Sequence, residues 1–217
     1  MSNTHENKMK NNIIEQPSIN DAKQLGKLLF LVDPYIYPSL FGTQKQASEI
    51  MPLLMSIKNS FFAPEYFYVM RENNIITGLI LRYNHPFEQT PKTMIDFCKN
   101  HQTLLPESAI HVCTNYFIPV CENLKPNETY IPSIVTHPDY RHKGIATTLL
   151  RTIENENQNS TLALDTLANN TIAISTYTQY GFQKQSNITN GYAYKQPAPK
   201  VFRMIKQSSM ILNLMIL

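Results

Sequence analysis

The segment from Glu128 to Leu150, ETYIPSIVTHPDYRHKGIATTLL, constrains the fold more than any other part of the chain. A β-rich run ends at Pro138, and a short basic turn follows it. Beyond the turn the apolar residues recur at helical spacing, on the face formed by Ile145, Leu149 and Ile153. The segment therefore predicts a strand that passes through a turn directly into a helix.

The turn between this strand and this helix has the composition of an anion site. The start of a helix offers unpaired N–H groups and a partial positive charge, so the amides from His142 to Ala146 could surround a pyrophosphate. Arg141 and Lys143 would add full charges, and Gly144 would let the phosphate approach the backbone. The turn is neither a P-loop nor the G-x-G-x-x-G of dinucleotide-binding folds. The alternative is a solvated basic turn before a surface helix.

A second informative segment is Asn169–Phe182, which follows the apolar run LALDTL. The asparagines at its start are natural N-caps, and Gly181 is placed to end a helix in a left-handed conformation. Between these limits Ala173 and Tyr177 are four residues apart on one helical face, with Asn170 one turn earlier. A tyrosine in such a place is more often a core aromatic with its hydroxyl at the rim, so that alternative stays open for Tyr177.

Strands and helices alternate along the chain without an internal repeat or a long linker, which favours one α/β domain at residues 13–206. A flexible start (residues 1–12) and an apolar tail or last strand (residues 207–217) are expected to flank it. The predicted strands are Asn12–Glu15, Tyr66–Arg71, Ile75–Tyr83, Tyr130–Thr136, Thr161–Thr166, a strand from Phe182, and Val201–Ile205. The predicted helices start at Asn20 or Asp21 and span Lys45–Lys58, Gly144–Glu154 and Asn170–Tyr180. Residues 85–126, with five prolines, predict an irregular region that shapes the substrate site.

Composition excludes several classes of protein. The net charge of +3 is too small to indicate nucleic-acid binding. The three cysteines are odd in number and lack metal-ligand spacing, which favours reduced thiols in a cytoplasm and no metal site. The polar start resembles no secretory signal, so a cytoplasmic location is expected. The apolar run Met210–Leu217 is too short to span a membrane and would instead dock on the core or on a partner, with a homodimer as one possibility.

Taken together, the two segments resemble the GNAT superfamily of acetyl-CoA-dependent N-acetyltransferases, and the resemblance extends over about residues 13–206. The family's phosphate motif, R/Q-x-x-G-x-G/A, is matched by Arg141, Gly144 and Ala146. Its later pattern, N-x-x-A-x-x-x-Y-x-x-x-G-F, is matched from Asn170 to Phe182. The resemblance implies a three-layer α/β fold: a mixed, largely antiparallel twisted sheet with helices on both faces and splayed parallel central strands.

The resemblance also implies acetyl-CoA as co-substrate. Its pantetheine amides would bond the strand edge at Ile134 and Thr136, and the Ile134 N–H would donate to the developing oxyanion. Tyr177 would be the general acid for the departing thiolate. The residues expected to bind the cofactor are Ile134, Val135, Thr136, Arg141, His142, Lys143, Gly144, Ile145, Ala146, Thr147, Asn170 and Ala173.

The base and the acceptor stay open. Glu128 is nearest to the family's usual carboxylate position and could act through a water, but a solvated charge at a strand edge is the favoured interpretation. Asp165, His85 and His111 are further candidates, and some family members need no base. The acceptor is expected to be a small-molecule or peptide amine. Two other functions remain: an acyl-CoA-binding or regulatory module without catalysis, and transfer of a longer acyl group.

Overall fold

A computed structural model describes residues 13–58, 60–87, 91–185 and 200–208 of the 217-residue chain. The flexible start expected at residues 1–12 lies outside these ranges, and so does the tail from residue 209 onward. Within the described ranges, none of the helices combines the length and the apolar character that crossing a bilayer requires.

The described part is built on a seven-stranded sheet with the order β1-β2-β3-β4-β5-β7-β6. The strands are β1 Ile13–Glu15, β2 Phe67–Glu72, β3 Ile75–Asn84, β4 Glu128–Thr136, β5 Thr161–Leu167, β6 Gln183–Lys184 and β7 Val201–Lys206. Every neighbouring pair is antiparallel except the central pair β4 and β5, which is parallel. The mixed, largely antiparallel sheet expected from the sequence is therefore confirmed.

Helices cover both faces of this sheet. They are α1 Ala22–Leu29, α2 Ile36–Phe41, α3 Gln44–Ser56, α4 Pro91–Asn100, α5 Ser108–Val112, α6 Ile118–Glu122, α7 Ile145–Glu156 and α8 Thr171–Tyr180. One apolar cluster joins α1–α6 to one face, through residues such as Leu25, Phe62, Phe117 and Tyr130. A second cluster joins α7 and α8 to the other face, through Ile145, Leu149, Ile153 and Tyr177. We call these the α1–α6 face and the α7–α8 face.

The strands and helices that were predicted occur within one or two residues of their expected limits, whereas α2 and residues 85–126 differ from the prediction. The latter region is mostly helical rather than irregular, with α4, α5 and α6 in sequence. A π-helical turn at Cys113–Phe117 lies between α5 and α6, directly before Pro119 in the first turn of α6. Because proline cannot donate the regular helical hydrogen bond, the wider turn lets the helix continue past it.

Helices α1 and α3 approach each other closely at Gly26. A Cβ atom added there would lie 2.3 Å from the backbone oxygen of Ala47, and 3.0 Å from the Cα atom of Ser48. Backbone atoms cannot rotate away as a side chain can, so the contact requires glycine.

We expect Gly26→Ala to lower the free energy of unfolding by about 3 kcal/mol, at the upper end of the usual cost of overpacking. In an exposed helix the same change would raise the free energy of unfolding by about 1 kcal/mol. The sign of the measured change therefore tests whether α1 packs closely on α3 at Gly26. Urea unfolding gives the measurement. Lys27→Ala, on the exposed side of the same helix, is the control and should stay within about 0.5 kcal/mol of wild type. A variant as stable as wild type would contradict the packing of α1 on α3.

Candidate active site

The two parallel strands at the centre of the sheet separate partway along their length. Their pairing ends at Ile131 of β4 and Leu164 of β5, although β4 continues to Thr136 and stays paired with β3. The next residue of β4 is Pro132, which has no N–H to donate, and the β3–β4 register shifts at the same place. A gap thus opens between β4 and β5, as expected for splayed central strands.

The antiparallel ladder with β3 fixes which amides of β4 face this gap. The His137 N–H donates to the Thr77 oxygen over 2.8 Å, and Thr136 is in register with Gly78. Since hydrogen-bonding direction alternates along an antiparallel strand, the backbone groups of Ile134 and Thr136 point away from β3. They point into the gap, at the two positions named from the sequence. Val135, between them, is directed to β3 and its side chain is buried on the α1–α6 face.

The turn after β4 has the conformation of an open cradle. His142 and Gly144 both have positive φ, at 62° and 74°. Arg141, His142, Lys143 and Gly144 are all exposed, and a Cβ added to Gly144 would meet nothing within 4 Å. The sequence suggested glycine at position 144 because a ligand needs room there. The structure adds a second reason, since the left-handed backbone at Gly144 disfavours any side chain.

Helix α7 starts directly from this cradle. Gly144 is its N-cap and has no side chain that could accept from the first amides of the helix. Ile145 is buried and fixes the first turn against the sheet, while Ala146 and Thr147 are half-buried. The Gly144 oxygen accepts from the Thr148 N–H at 2.9 Å. The N–H groups at residues 145–147 are therefore directed towards the cradle.

Helix α8 has the caps that its sequence predicts. The Asn170 side chain accepts from the Ala173 N–H over 3.1 Å, so its oxygen has a structural use as the N-cap. At the other end Gly181 has a φ of 106°, and the Phe182 N–H donates to the Tyr177 oxygen at 2.9 Å. Ala173 is half-buried and packs on the α7–α8 cluster.

Tyr177 is buried in the α7–α8 cluster with 9% of its surface exposed. The same cluster contains Ile131 and Leu164, the last paired residues before the gap. In the part of the chain that the structure describes, the Tyr177 hydroxyl has no hydrogen-bond partner. The hydroxyl is also not fully enclosed, unlike the unpaired buried atoms Arg82 Nε, Asn84 Oδ1 and Thr129 Oγ1. Burial raises the pKa of the Tyr177 phenol, so it stays protonated over the whole physiological range.

A polar cluster lies at the gap on the opposite, α1–α6 face. Asp165 is the first residue of β5 beyond the paired region, and it accepts from the Tyr130 hydroxyl over 3.0 Å. The Tyr116 hydroxyl is 3.3 Å from that of Tyr130, and Arg203 Nη1 is 3.4 Å from Asp165 Oδ2. Burial raises the pKa of Asp165, and the Arg203 charge and the Tyr130 hydrogen bond offset this only in part. Asp165 is therefore a carboxylate that takes up a proton more readily than an exposed one.

The other candidate bases are placed less favourably. Glu128 is buried and held by Arg203 Nη2 at 2.5 Å, so it is an ion-pair partner rather than a solvated charge. His85 and His111 are exposed on the surface. Sequence reasoning did not single out Arg203, Tyr130 or Tyr116. The alternation of Ala163, Asp165 and Leu167 along β5 could have placed Asp165 on one face, but it could not have named its partners.

Comparisons with known proteins agree with this architecture. The model of the "Acetyltransferase (GNAT) family" matches residues 44–182. The fold is similar to an N-acetyltransferase from Staphylococcus aureus Mu50, with a TM-score of 0.62, 21% identity, and coverage of 89% of this chain and 99% of that one. It is also similar to the NatC complex bound to Gag peptide and CoA (TM-score 0.52, 16% identity, 91% and 99% coverage). An agmatine N-acetyltransferase gives a TM-score of 0.56 at 13% identity, with 90% and 99% coverage.

A comparison of the sequence with curated proteins finds no match. The structural neighbours are below 25% identity and show the fold alone, whereas the family model covers well over half of the chain. Because that model matches residues 44–182, the chain belongs to the GNAT acetyltransferase family.

Proposed function

We propose that the protein transfers an acetyl group from acetyl-CoA to a primary amine, by direct attack within a ternary complex. The observation that carries this proposal is the early end of the β4–β5 pairing. It leaves the backbone groups of Ile134 and Thr136 free of a strand partner, between the buried Tyr177 phenol on one face of the sheet and the half-buried Asp165 carboxylate on the other.

The residues present fit acetyl-CoA. The free edge of β4 at Ile134 and Thr136 can bond the amides of a pantetheine arm as a neighbouring strand would. The cradle at Arg141–Ala146, with its exposed cations and the uncapped start of α7, suits a pyrophosphate. When bound, acetyl-CoA supplies an acyl group activated as a thioester. The Ile134 N–H is directed to the gap, where it can donate to the developing oxyanion.

Proton movements are assigned to the two faces of the sheet. A protonated amine must lose a proton before it can attack, and Asp165 Oδ2, on the α1–α6 face, accepts it. The departing thiolate needs a proton, and Tyr177 Oη, on the α7–α8 face, donates it. The second proton that the nitrogen loses as the amide forms passes to solvent, and solvent returns a proton to the Tyr177 phenolate. Because the two groups lie on opposite faces, the amine and the thiol are handled from opposite sides of the gap. This supports direct transfer, in which both substrates are bound together.

Release of free thiol from acetyl-CoA, measured with a panel of amines, tests the proposed function. Binding of acetyl-CoA without thiol release for any amine would favour the regulatory alternative. Faster release from butyryl-CoA than from acetyl-CoA would favour the longer acyl group. Absence of acetyl-CoA binding would overturn the proposal.

The cradle gives a separate prediction for cofactor affinity. We expect Gly144→Val to weaken acetyl-CoA binding by about 10-fold or more, because a branched residue cannot hold the left-handed backbone without a cost of about 1–2 kcal/mol. Gly144→Asn is the matched variant, since asparagine tolerates that conformation, and it should lose clearly less affinity. Isothermal titration with acetyl-CoA gives both values. Wild-type affinity in both variants would exclude this turn as the phosphate site.

A further inference from the structure

A groove of about 390 Å³ crosses β4, β5 and β7 on the α1–α6 face of the sheet. Its floor includes Thr161, Arg203 and Ile205, and its sides are the segment before β4, at Lys125, and the end of β6, at Gln185. We call it the β4–β5–β7 groove. Its volume is in the range of pockets that hold small molecules.

Arg203 connects the groove to the gap between β4 and β5, because its side chain lines the groove and contacts Asp165. Thr161 and Asp165 lie on the same face of β5, and Arg203 is in register with Asp165 across β5 and β7. The guanidinium at the inner end of the groove is the one that contacts Asp165 at 3.4 Å. Tyr37 and Tyr116 are buried between the α1–α6 layer and β4, which closes that side of the gap. An acceptor that extends along the floor of the groove and past Arg203 therefore arrives at Asp165.

Charge is distributed unevenly along this path. At the inner end two carboxylates, Glu128 and Asp165, share the single guanidinium of Arg203, which leaves one net negative charge. The outer part is lined by Lys125, which is exposed and carries an ammonium group, and by the amide residues Asn127, Gln185 and Gln207. The inner end thus suits an ammonium group, and the outer end suits an anion or other strong hydrogen-bond acceptor.

We infer that the acceptor is a small amino acid-like molecule, with the reacting amine at one end and a carboxylate at the other. The inference rests on the proposed function and adds the class of acceptor to it. The amine lies at Asp165 and the carboxylate lies at Lys125. A diamine of the same length is disfavoured, because its second ammonium would lie beside Lys125 instead of beside an acidic group.

The test compares acceptors that differ at one end only. A series of α- and ω-amino acids from two to six carbons is assayed for thiol release, beside the primary amide of each acid and the diamine of the same carbon number. At the best chain length we expect kcat/KM for the acid to exceed that for the diamine by about 10-fold or more, with the amide in between. Equal values, or a preference for the diamine, would overturn the inference while leaving the acetyltransferase function intact.

Lys125→Glu adds a charge-reversal test. It should reduce the preference for the acid over the diamine by about 10-fold or more, mainly through KM. Lys27→Glu, which makes the same change beside a different surface between α1 and α3, should keep the wild-type preference.

A binding experiment tests the inference if acetyl-CoA binds but no amine is acetylated. The same acid and diamine pairs are titrated into CoA-saturated protein: tighter binding of the acids supports the inference, and equal or weaker binding overturns it. If acetyl-CoA itself fails to bind, the proposed function fails first.

Discussion

Replacing Tyr177 with phenylalanine is expected to lower kcat by about 100-fold or more, the usual contribution of a positioned general acid. The hydroxyl has no partner within the described residues, so its removal breaks no hydrogen bond of the fold. Acetyl-CoA affinity should therefore stay within about 3-fold of wild type and thermal stability should be nearly unchanged. Steady-state thiol release with saturating amine gives kcat, and titration of acetyl-CoA gives the affinity.

Tyr180→Phe is the matched control for this experiment. Tyr180 lies on the same helix, but its hydroxyl donates to Glu154 Oε2 over 2.6 Å, away from the gap. We expect this variant to lose about 1 kcal/mol of stability and to keep its turnover within about 2-fold. If Tyr177→Phe kept full turnover, the phenol would be the core aromatic that its sequence position also allows, and another group would have to protonate the thiolate.

The second large effect is expected at Asp165. Asp165→Asn keeps the size of the side chain but removes the proton acceptor, and kcat/KM at neutral pH should fall by about 100-fold. In wild type the acidic limb of the pH profile should lie above the ordinary range of an aspartate, because burial raises the pKa of Asp165. A base works only when deprotonated, so activity is lost as the pH falls through that raised pKa. In the Asn variant this limb should disappear.

Glu128→Gln distinguishes a direct role of Asp165 from a general effect of charge at the groove. The substitution frees Arg203 from its 2.5 Å contact with Glu128 and removes a negative charge from the cluster. Both changes favour the ionised form of Asp165, so its pKa should fall and the acidic limb should move to lower pH without disappearing. If the acidic limb vanished with Glu128→Gln and persisted with Asp165→Asn, Glu128 would be the general base and Asp165 would not.

The helical region 85–126 shows where local sequence signals were insufficient. Five prolines predicted irregular structure, yet Pro91 begins α4 and Pro119 lies in the first turn of α6, where a missing N–H costs little. The π-helical turn before Pro119 lets the helix continue past this proline, so a residue that predicted a break lies inside a continuous helical segment. The aromatic residues Tyr37, Phe61 and Phe62 from the neighbouring segments are buried and form part of the core.

Local sequence signals were sufficient to predict the strand–turn–helix unit of the cradle and the limits of α8. Each depends on groups within one or two helical turns: Gly144 and the amides that follow it, Asn170 with Ala173, and Gly181 with the residues beside it. Such local requirements can be found from spacing alone.

Which polar side chains lie together at the gap depends on how the strands assemble into the sheet. Asp165 was one of several candidate bases in the sequence, and Arg203 was not a candidate at all. The β4–β5 register ends immediately before Asp165, and β7 returns antiparallel from a distant part of the chain to set Arg203 against it. The choice of base and the charge of the groove thus follow from strand pairing across 75 residues of sequence between Glu128 and Arg203. No local pattern carries that information, because charged side chains from separate strands become neighbours only when the sheet assembles.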